Sequence, residues 1–300
     1  MLLACLAGLA AGALWGLTFI APHVIAAAAP GELVITRFAV YGAISVIVLW
    51  RLGFNPLARL TGRDWLRLIG LGALGNTLYY LLVVVSVAKG SPGLTALIIG
   101  TLPVMFAVTG NLLEPKAPWP RLALALAPIG AGLLLLGQHE GAGSALAFSW
   151  TGAALAAAAM ASWLAYGLLN ARHLRRDRQT SALLWAALVG IGTAITLPLI
   201  WIAACLQSGP PFGADATNLM PLLLAGIILG VFSSWLATWL WNIASARIPA
   251  AALGYLIVSE TLFALLYAFA LDARLPSMTE LASIALLVGG TLAGLRVTRT

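Results

Sequence analysis

Ten apolar stretches, separated by short polar gaps, follow one another along the 300-residue chain. Each is close to the ~17–25 residues that an α-helix needs to cross the hydrocarbon core of a bilayer. None shows the alternation of apolar and polar residues that a membrane strand requires, so the segments are predicted to be helices. The pattern predicts an all-α polytopic membrane protein with ten transmembrane helices, over residues 3–22, 31–50, 66–88, 92–113, 121–138, 148–170, 181–205, 219–243, 250–271 and 279–297.

The positively charged residues predict the orientation of these helices, because Lys and Arg concentrate on the cytoplasmic side of membrane proteins. With the N-terminus inside, only Lys89 and Arg274 fall on the outer side, and Arg37 lies within a helix. A miscounted helix would move the basic residues after the error to the outer side. No such reversal occurs, so the pattern supports ten helices with both termini in the cytoplasm. The remaining basic residues all fall on the inner side: Arg51, Arg59, Arg63, Arg67, Lys116, Arg121, Arg172, Arg175, Arg176, Arg178, Arg247, Arg296 and Arg299.

Composition supports the membrane assignment, since 62% of the residues are hydrophobic and 8% are charged, against roughly 25% charged in soluble domains. The net charge of +7 does not indicate nucleic-acid binding, because the basic residues lie in short gaps and not on one face or tail. Cys5 and Cys205 lie in apolar segments and predict neither a disulfide framework nor a metal site. The first apolar stretch lacks a basic region before it and is expected to be a retained helix and not a cleaved signal peptide.

The two halves of the chain resemble each other. Leu71-Gly72, Asn76, Tyr80 and Lys89 recur 158 residues later as Leu229-Gly230, Ser234, Thr238 and Arg247. Chance matching among helices rich in Ala, Gly and Leu is the alternative. Five helices in each half would place the second half upside down relative to the first, an arrangement typical of secondary transporters with a substrate site between the repeats. The expected domains are 1–140 and 141–300, each a five-helix repeat.

Two ionisable residues lie within predicted helices, Arg37 in the second and Glu260 near the middle of the ninth. A charge at the bilayer centre costs about 2.5–3.5 kcal/mol on insertion scales, so such groups face a cavity or a partner. One hypothesis is that Glu260 binds a substrate ammonium or carries a proton while Arg37 binds a carboxylate. The alternative is structural: the two pair with each other, with backbone carbonyls or with hydroxyls such as that of Ser259.

Aromatic and polar side chains inside the helices are further candidates for a substrate site, since rings stack on aromatic or cationic ligands and amides and hydroxyls hydrogen-bond to them. The alternative for each ring is packing or lipid contact. These candidates are Trp15, Thr18, Asn76, Tyr79, Tyr80, Trp163, Tyr166, Ser234 and Trp239.

Prolines form another class, because proline interrupts helical hydrogen bonding and such breaks serve as hinges in transporters or as static kinks. The hinge candidates are Pro92, Pro103 and Pro249. The chain contains no nucleotide-binding, metalloprotease or serine-hydrolase motif. The sequence therefore predicts no enzyme, no cofactor and no metal, and any uphill transport is expected to draw on a gradient.

The whole chain resembles the drug/metabolite transporter superfamily, of the EamA type with ten helices. The resemblance is carried by Ala13-Leu14-Trp15-Gly16, by Arg37, by Leu102-Pro103-Val104 followed by Glu114, and by the glycines of helices five and ten: Gly130, Gly132, Gly137, Gly289, Gly290 and Gly294. It implies a central cavity lined by both repeats except their fifth helices. The chain departs from the family pattern at Glu260, where the second repeat usually carries a proline matching Pro103.

Within that superfamily the chain is most similar to the bacterial aromatic amino acid exporters. The resemblance implies a secondary transporter that exports aromatic or large neutral amino acids across the inner membrane by alternating access. A multidrug or cationic-metabolite exporter is one alternative, and a channel or receptor-like membrane protein is another. The expected partners are a small-molecule substrate and the lipid bilayer, with no nucleic acid; the sequence leaves the oligomeric state open.

Overall fold

The computed structural model describes residues 1–24, 30–90, 92–115, 117–141, 149–177, 179–208, 211–212 and 219–297. The described chain is helical throughout its membrane segments, and nine helices are long and apolar enough to cross a bilayer, with a shorter apolar helix at Leu2–Thr18. The prediction of ten membrane helices is confirmed. Three of the counted basic residues, Lys116, Arg178 and Arg299, lie outside the described residues.

The ten helices are numbered α1 to α10. They are α1 Leu2–Val24, α2 Pro30–Arg51, α3 Gly62–Lys89, α4 Pro92–Gly100 with Leu102–Leu113, α5 Trp119–Gly141, α6 Trp150–Arg176, α7 Ala182–Ile195 with Leu197–Ser208, α8 Leu219–Ser245, α9 Ala250–Leu271 and α10 Met278–Val297. A one-turn helix, Asn55–Ala58, precedes α3.

Helix α3 begins four residues before the predicted start because Thr61 caps it. The Thr61 hydroxyl accepts a hydrogen bond from the Asp64 backbone N–H at 3.3 Å, and the Asp64 carboxylate accepts from the Thr61 N–H at 3.0 Å. This reciprocal pair satisfies two of the free N–H groups at a helix start. Helix α6 extends six residues beyond its predicted end, to Arg176, where basic side chains complement the negative end of the helix dipole.

Both α3 and α8 contain a π-helical stretch, Ala73–Thr77 in α3 and Leu229–Leu236 in α8. A π-helical turn inserts one extra residue, which shifts the side chains after it around the helix and loosens the backbone hydrogen bonds; such turns are frequent at functional sites. The predicted repeat aligns the two stretches, since residues 73–77 correspond to 231–235. Apolar periodicity contains no signal for this feature.

The proline candidates occupy different places in the helices. Helix α4 is interrupted at Thr101, two residues before Pro103, whereas α9 runs unbroken through Glu260. This difference follows from chemistry, because proline lacks the N–H that continues a helix and glutamate does not. Pro92 is the first residue of α4, and Pro249 directly precedes α9. Two of the three hinge candidates therefore lie at helix starts and not in helix interiors.

Glycines let α5 and α10 approach closely inside the chain. A Cβ at Gly132 would lie 3.0 Å from the Ser283 carbonyl oxygen, and one at Gly290 would lie 2.9 Å from the Ala125 carbonyl oxygen. Gly130 and Gly289 have open space around them. Part of this glycine-rich surface therefore serves packing between α5 and α10.

Candidate functional site

Arg37 lies on α2, and its side chain contacts the π-helical stretch of α8. Its Nε donates to Ser234 Oγ at 2.7 Å, and one terminal nitrogen lies 3.4 Å from the Ser233 carbonyl oxygen. Ser233 in turn donates to the Leu14 carbonyl of α1. The guanidinium carbon lies 5.3 Å from the centre of the Phe38 ring. Two sequence candidates, Arg37 and Ser234, are thus in direct contact, and the bond spans the two halves of the chain.

Glu260 lies in the middle of α9 and remains partly exposed, although the ten residues before it in this helix, Ala250 to Ser259, are all buried. No described side chain or backbone group forms a hydrogen bond or ion pair with its carboxylate. A charged group among apolar helices without a protein partner must be satisfied by water or by a ligand. The carboxylate is therefore available to water or to a ligand.

Helix α1 approaches α9 at Glu260 through two glycines. A Cβ at Gly12 would lie 3.0 Å from the Glu260 backbone nitrogen, and one at Gly16 would lie 3.2 Å from its carbonyl oxygen. Trp15 and Thr18 belong to this part of α1; the Thr18 hydroxyl donates to the Trp15 carbonyl at 2.6 Å, a local bond that leaves its oxygen lone pairs available. The small residues of α1 therefore position these two candidates next to α9.

Arg37, Tyr79, Tyr80 and Glu260 form one electrostatic cluster, contributed by α2, α3 and α9. The charge of Arg37 acts on the two tyrosines and on Glu260, and that of Glu260 acts on Tyr79. Arg37 and Glu260 form no direct ion pair. An acid and a base that are close but separated match the two ends of a zwitterion.

A packed aromatic cluster lies nearer the cytoplasmic helix ends. Trp15 packs at 5.2 Å from Trp241 and 5.7 Å from Trp163, measured between ring centres, and Trp163 lies 6.0 Å from Tyr166. Phe106 closes the cluster from α4, 6.2 Å from Trp163. Trp163 and Tyr166 are 9% and 4% exposed, so their rings pack against other rings; only Trp15 keeps a partly exposed edge.

The remaining sequence candidates are engaged in contacts between helices or along one helix. Asn76, in the π-helical stretch of α3, donates to the Thr193 hydroxyl of α7 at 2.9 Å. Trp239 lies 5.8 Å from Trp235, ring centre to ring centre, on the same face of α8. Asn76 therefore binds helix α7 as Ser234 binds helix α2.

Sequence reasoning missed three parts of this arrangement. It counted Trp241 among the rings inside helices that could line a cavity but did not predict its packing, and this ring is completely buried in the aromatic cluster. It did not detect that Arg175, at the end of α6, forms an ion pair with Glu114 after α4 and approaches the Ser245 carbonyl at 3.5 Å. Nor did it detect the buried bond from Asn170 to Asn242, 2.9 Å long. These pairs join residues 60 to 75 positions apart, and only their residue types were visible in the sequence.

Comparison with known proteins identifies the family. Residues 2–138 match the model of the EamA-like transporter family. Inner membrane protein YtfF of Escherichia coli (strain K12) is 33% identical over 311 residues, an alignment that covers 99% of this chain and 96% of YtfF. The chain belongs to the EamA-like transporter family. This EamA-like transporter is thus a multi-pass inner-membrane protein of the drug/metabolite transporter superfamily, as the sequence predicts.

A solved crystal structure supports the fold of this EamA-like transporter. It superposes with a TM-score of 0.78 over 99% of this chain and 97% of the other, at 21% sequence identity. Similarity at that level of identity shows the shared fold and leaves the substrate open.

Proposed function

We propose that this EamA-like transporter exports aromatic or large neutral amino acids by alternating access, with Glu260 and Arg37 engaging the two ends of the zwitterion. The observation that carries the proposal is the carboxylate of Glu260, which has no hydrogen-bond or ion-pair partner among the described residues and lies in electrostatic range of Arg37. An amino acid offers an ammonium to the first group and a carboxylate to the second. Trp15 and Tyr79, both partly exposed, supply ring faces for the side chain of the substrate.

The described conformation fits one half of an alternating-access cycle. The cytoplasmic half of α9, Ala250 to Ser259, is buried at every residue, whereas each residue from Glu260 to Ala264 is partly exposed. On the cytoplasmic side of Glu260 lie the aromatic cluster and then the Glu114–Arg175 ion pair. In our proposal these two layers close the inner end, and they must separate before substrate enters from the cytoplasm.

We further propose that 1–140 and 141–300 are inverted repeats. Helix neighbours support this proposal. Helix α1 packs on α9 and on α8. Its counterpart α6 packs in the same way on α4, the counterpart of α9, and on α3, the counterpart of α8. Gly72 and Gly230, 158 residues apart, both lie at close approaches between helices.

Labelling of single cysteines would test the inversion. In a Cys5→Ala/Cys205→Ala background, Thr61→Cys before α3 should be protected from a membrane-impermeant maleimide in intact cells. Leu219→Cys, at the start of α8, should react. Labelling of both positions from the same side would overturn the inverted arrangement.

Transport in proteoliposomes tests the substrate assignment. We expect saturable uptake of radiolabelled phenylalanine and tryptophan, each competing with the other, and little uptake in empty liposomes. Glu260→Gln should abolish most of the uptake, whereas Asp272→Asn, at the exposed end of the same helix, should retain it. Wild-type rates in a folded Glu260→Gln protein would rule out a role for this carboxylate.

A cationic-metabolite or multidrug exporter is the second candidate, and it is also favoured by the lack of a partner for Glu260 within the described ranges. A carboxylate beside aromatic rings binds an organic cation without needing Arg37. Competition by a lipophilic cation but not by phenylalanine would favour this candidate. Ohmic conductance in a planar bilayer would indicate a channel and would exclude both carriers.

A further inference from the structure

A cavity of about 440 Å³ opens between α3 and α6, away from the proposed substrate site. It lies where α3 begins and α6 ends, which is the side that the distribution of Lys and Arg assigns to the cytoplasm. Two kinds of side chain line it, basic ones and apolar ones. The lining residues are Arg67, Gly70, Leu71, Leu74, Leu169, Arg172, His173 and Arg176.

Two of the arginines have no counter-charge in the part of the protein that the structure describes. Arg172 and Arg176 are four residues apart on α6, so they share one face of the helix, and both are exposed. Neither forms a hydrogen bond or ion pair with any described residue. Arg67 is different, since it pairs with Asp64 at 3.3 Å. Like charges at this spacing repel each other, and an anion bound between them would remove the repulsion.

The acidic group close to these arginines in the chain, Asp177, is engaged by other partners, and the neighbouring His173 packs against Trp185. The His173 ring stacks on Trp185 at 3.8 Å between ring centres. Its Nε2 lies 4.0 Å from Asp177, whose carboxylate accepts the Thr180 hydroxyl at 2.7 Å as well as two backbone N–H groups. These contacts leave the positive charge of Arg172 and Arg176 unneutralised at the cavity.

The deeper part of the cavity is apolar. Leu71 and Leu74 lie one and two helical turns further into the membrane than Arg67, a span of about 10 Å at ~1.5 Å per residue. Leu169, on the α6 wall, is 49% exposed, so the cavity is open on the lipid side. A basic mouth above an apolar, lipid-facing groove matches the polarity of a phospholipid and not that of a freely soluble ion.

We propose that this cavity binds an anionic phospholipid of the cytoplasmic leaflet, with the phosphate between Arg172 and Arg176 and an acyl chain along the leucines. Basic pockets between membrane helices on the cytoplasmic side bind lipid headgroups in this way. The site adjoins the π-helical stretch of α3, because Leu74 belongs to that stretch and accepts a hydrogen bond from Ser162 of α6 at 2.8 Å. Bound lipid therefore strengthens the contact between α3 and α6.

Thermal unfolding of the full-length protein in neutral detergent tests the proposal. Dioleoylphosphatidylglycerol should raise the midpoint, and dioleoylphosphatidylcholine should raise it far less, because a ligand that binds only the folded state stabilises it. Arg172→Gln/Arg176→Gln should need about ten-fold more phosphatidylglycerol for the same shift. The matched control Arg59→Gln/Arg63→Gln removes two exposed charges from the same side of the membrane and should titrate like wild type.

Three outcomes would overturn the proposal. The first is equal phosphatidylglycerol titrations for the cavity variant and its control. The second is a full shift with glycerol 3-phosphate at the same concentration, which would assign the site to a soluble phosphate. The third uses Arg172→Lys/Arg176→Lys, which keeps both charges: if it loses binding as completely as the glutamine variant while unfolding like wild type without lipid, charge attraction does not hold the ligand.

Discussion

Gly72 is where α3 presses against the backbone of α7, and an added methyl group has no room there. A Cβ at Gly72 would lie 2.4 Å from the Thr193 backbone nitrogen and 2.6 Å from the Gly192 carbonyl carbon. Backbone atoms of a helix cannot rotate aside as a side-chain end does, so the two helices must separate. Overpacking of this kind costs about 1–3 kcal/mol. We expect Gly72→Ala to destabilise the protein by that amount.

Gly70 provides the matched control on the same helix, because nothing lies within 4 Å of its Cβ position. Gly70→Ala gains the better helix propensity of alanine, about 0.5–1 kcal/mol, and meets no clash. The assay is thermal unfolding in detergent, followed by tryptophan fluorescence. At roughly 2–4 °C per kcal/mol for a chain of this size class, Gly72→Ala should unfold several degrees below Gly70→Ala.

The same substitution should impair transport. Separating α3 from α7 lengthens the Asn76–Thr193 hydrogen bond in the π-helical stretch, now 2.9 Å. We expect slower uptake by Gly72→Ala than by Gly70→Ala at a temperature where both are folded. Equal unfolding temperatures for the two variants would refute the argument, since they would mean that α7 yields without cost.

Three further predictions concern the cytoplasmic side. A double-mutant cycle on Glu114→Gln and Arg175→Gln should give a coupling free energy of unfolding of about 1 kcal/mol. This is below the usual ~1.5–3 kcal/mol for a charged hydrogen bond, because both side chains are partly exposed. Additive effects of the two substitutions would contradict the ion pair. Trp241→Ala empties a fully buried ring site and should cost about 3–5 kcal/mol in chemical or thermal unfolding, whereas Trp241→Phe should cost less. The Thr180 hydroxyl and nearby backbone N–H groups lower the pKa of Asp177 in the folded protein. The stabilising effect of Asp177 is therefore present above the pKa of the unfolded chain and is lost as the pH falls through the folded value. Asp177→Asn should reduce the drop in unfolding temperature between neutral and acid pH, and an unchanged drop would contradict this role.

The placement of the π-helical stretches links local structure to the proposed transport cycle. Each stretch carries a polar residue, Asn76 or Ser234, that bonds to the second helix of the other half, through Thr193 or Arg37. Loosened backbone hydrogen bonding makes these turns the places where α3 and α8 bend at low cost. In the proposed cycle, a bend there would change the contact between the two halves.

The membrane class, the helix number and the orientation were determined by sequence alone, because the bilayer imposes a length, an apolar composition and a charge asymmetry that each segment displays locally. The choice of Glu260 as a candidate followed from the same principle, since a carboxylate in the middle of an apolar helix stands out without any neighbour; its role in transport stays a prediction.

The tertiary structure decided which of the candidate residues stay partly exposed and which are packed. Trp163 and Trp15 look alike along their helices, and only the crossing of α1, α4, α6 and α8 buries the first ring and leaves the second partly open. The two π-helical stretches, the Glu114–Arg175 pair and the basic cavity between α3 and α6 all depend on contacts between distant segments. Hydrophobic periodicity records the burial of each helix separately, and it contains no information on which faces meet.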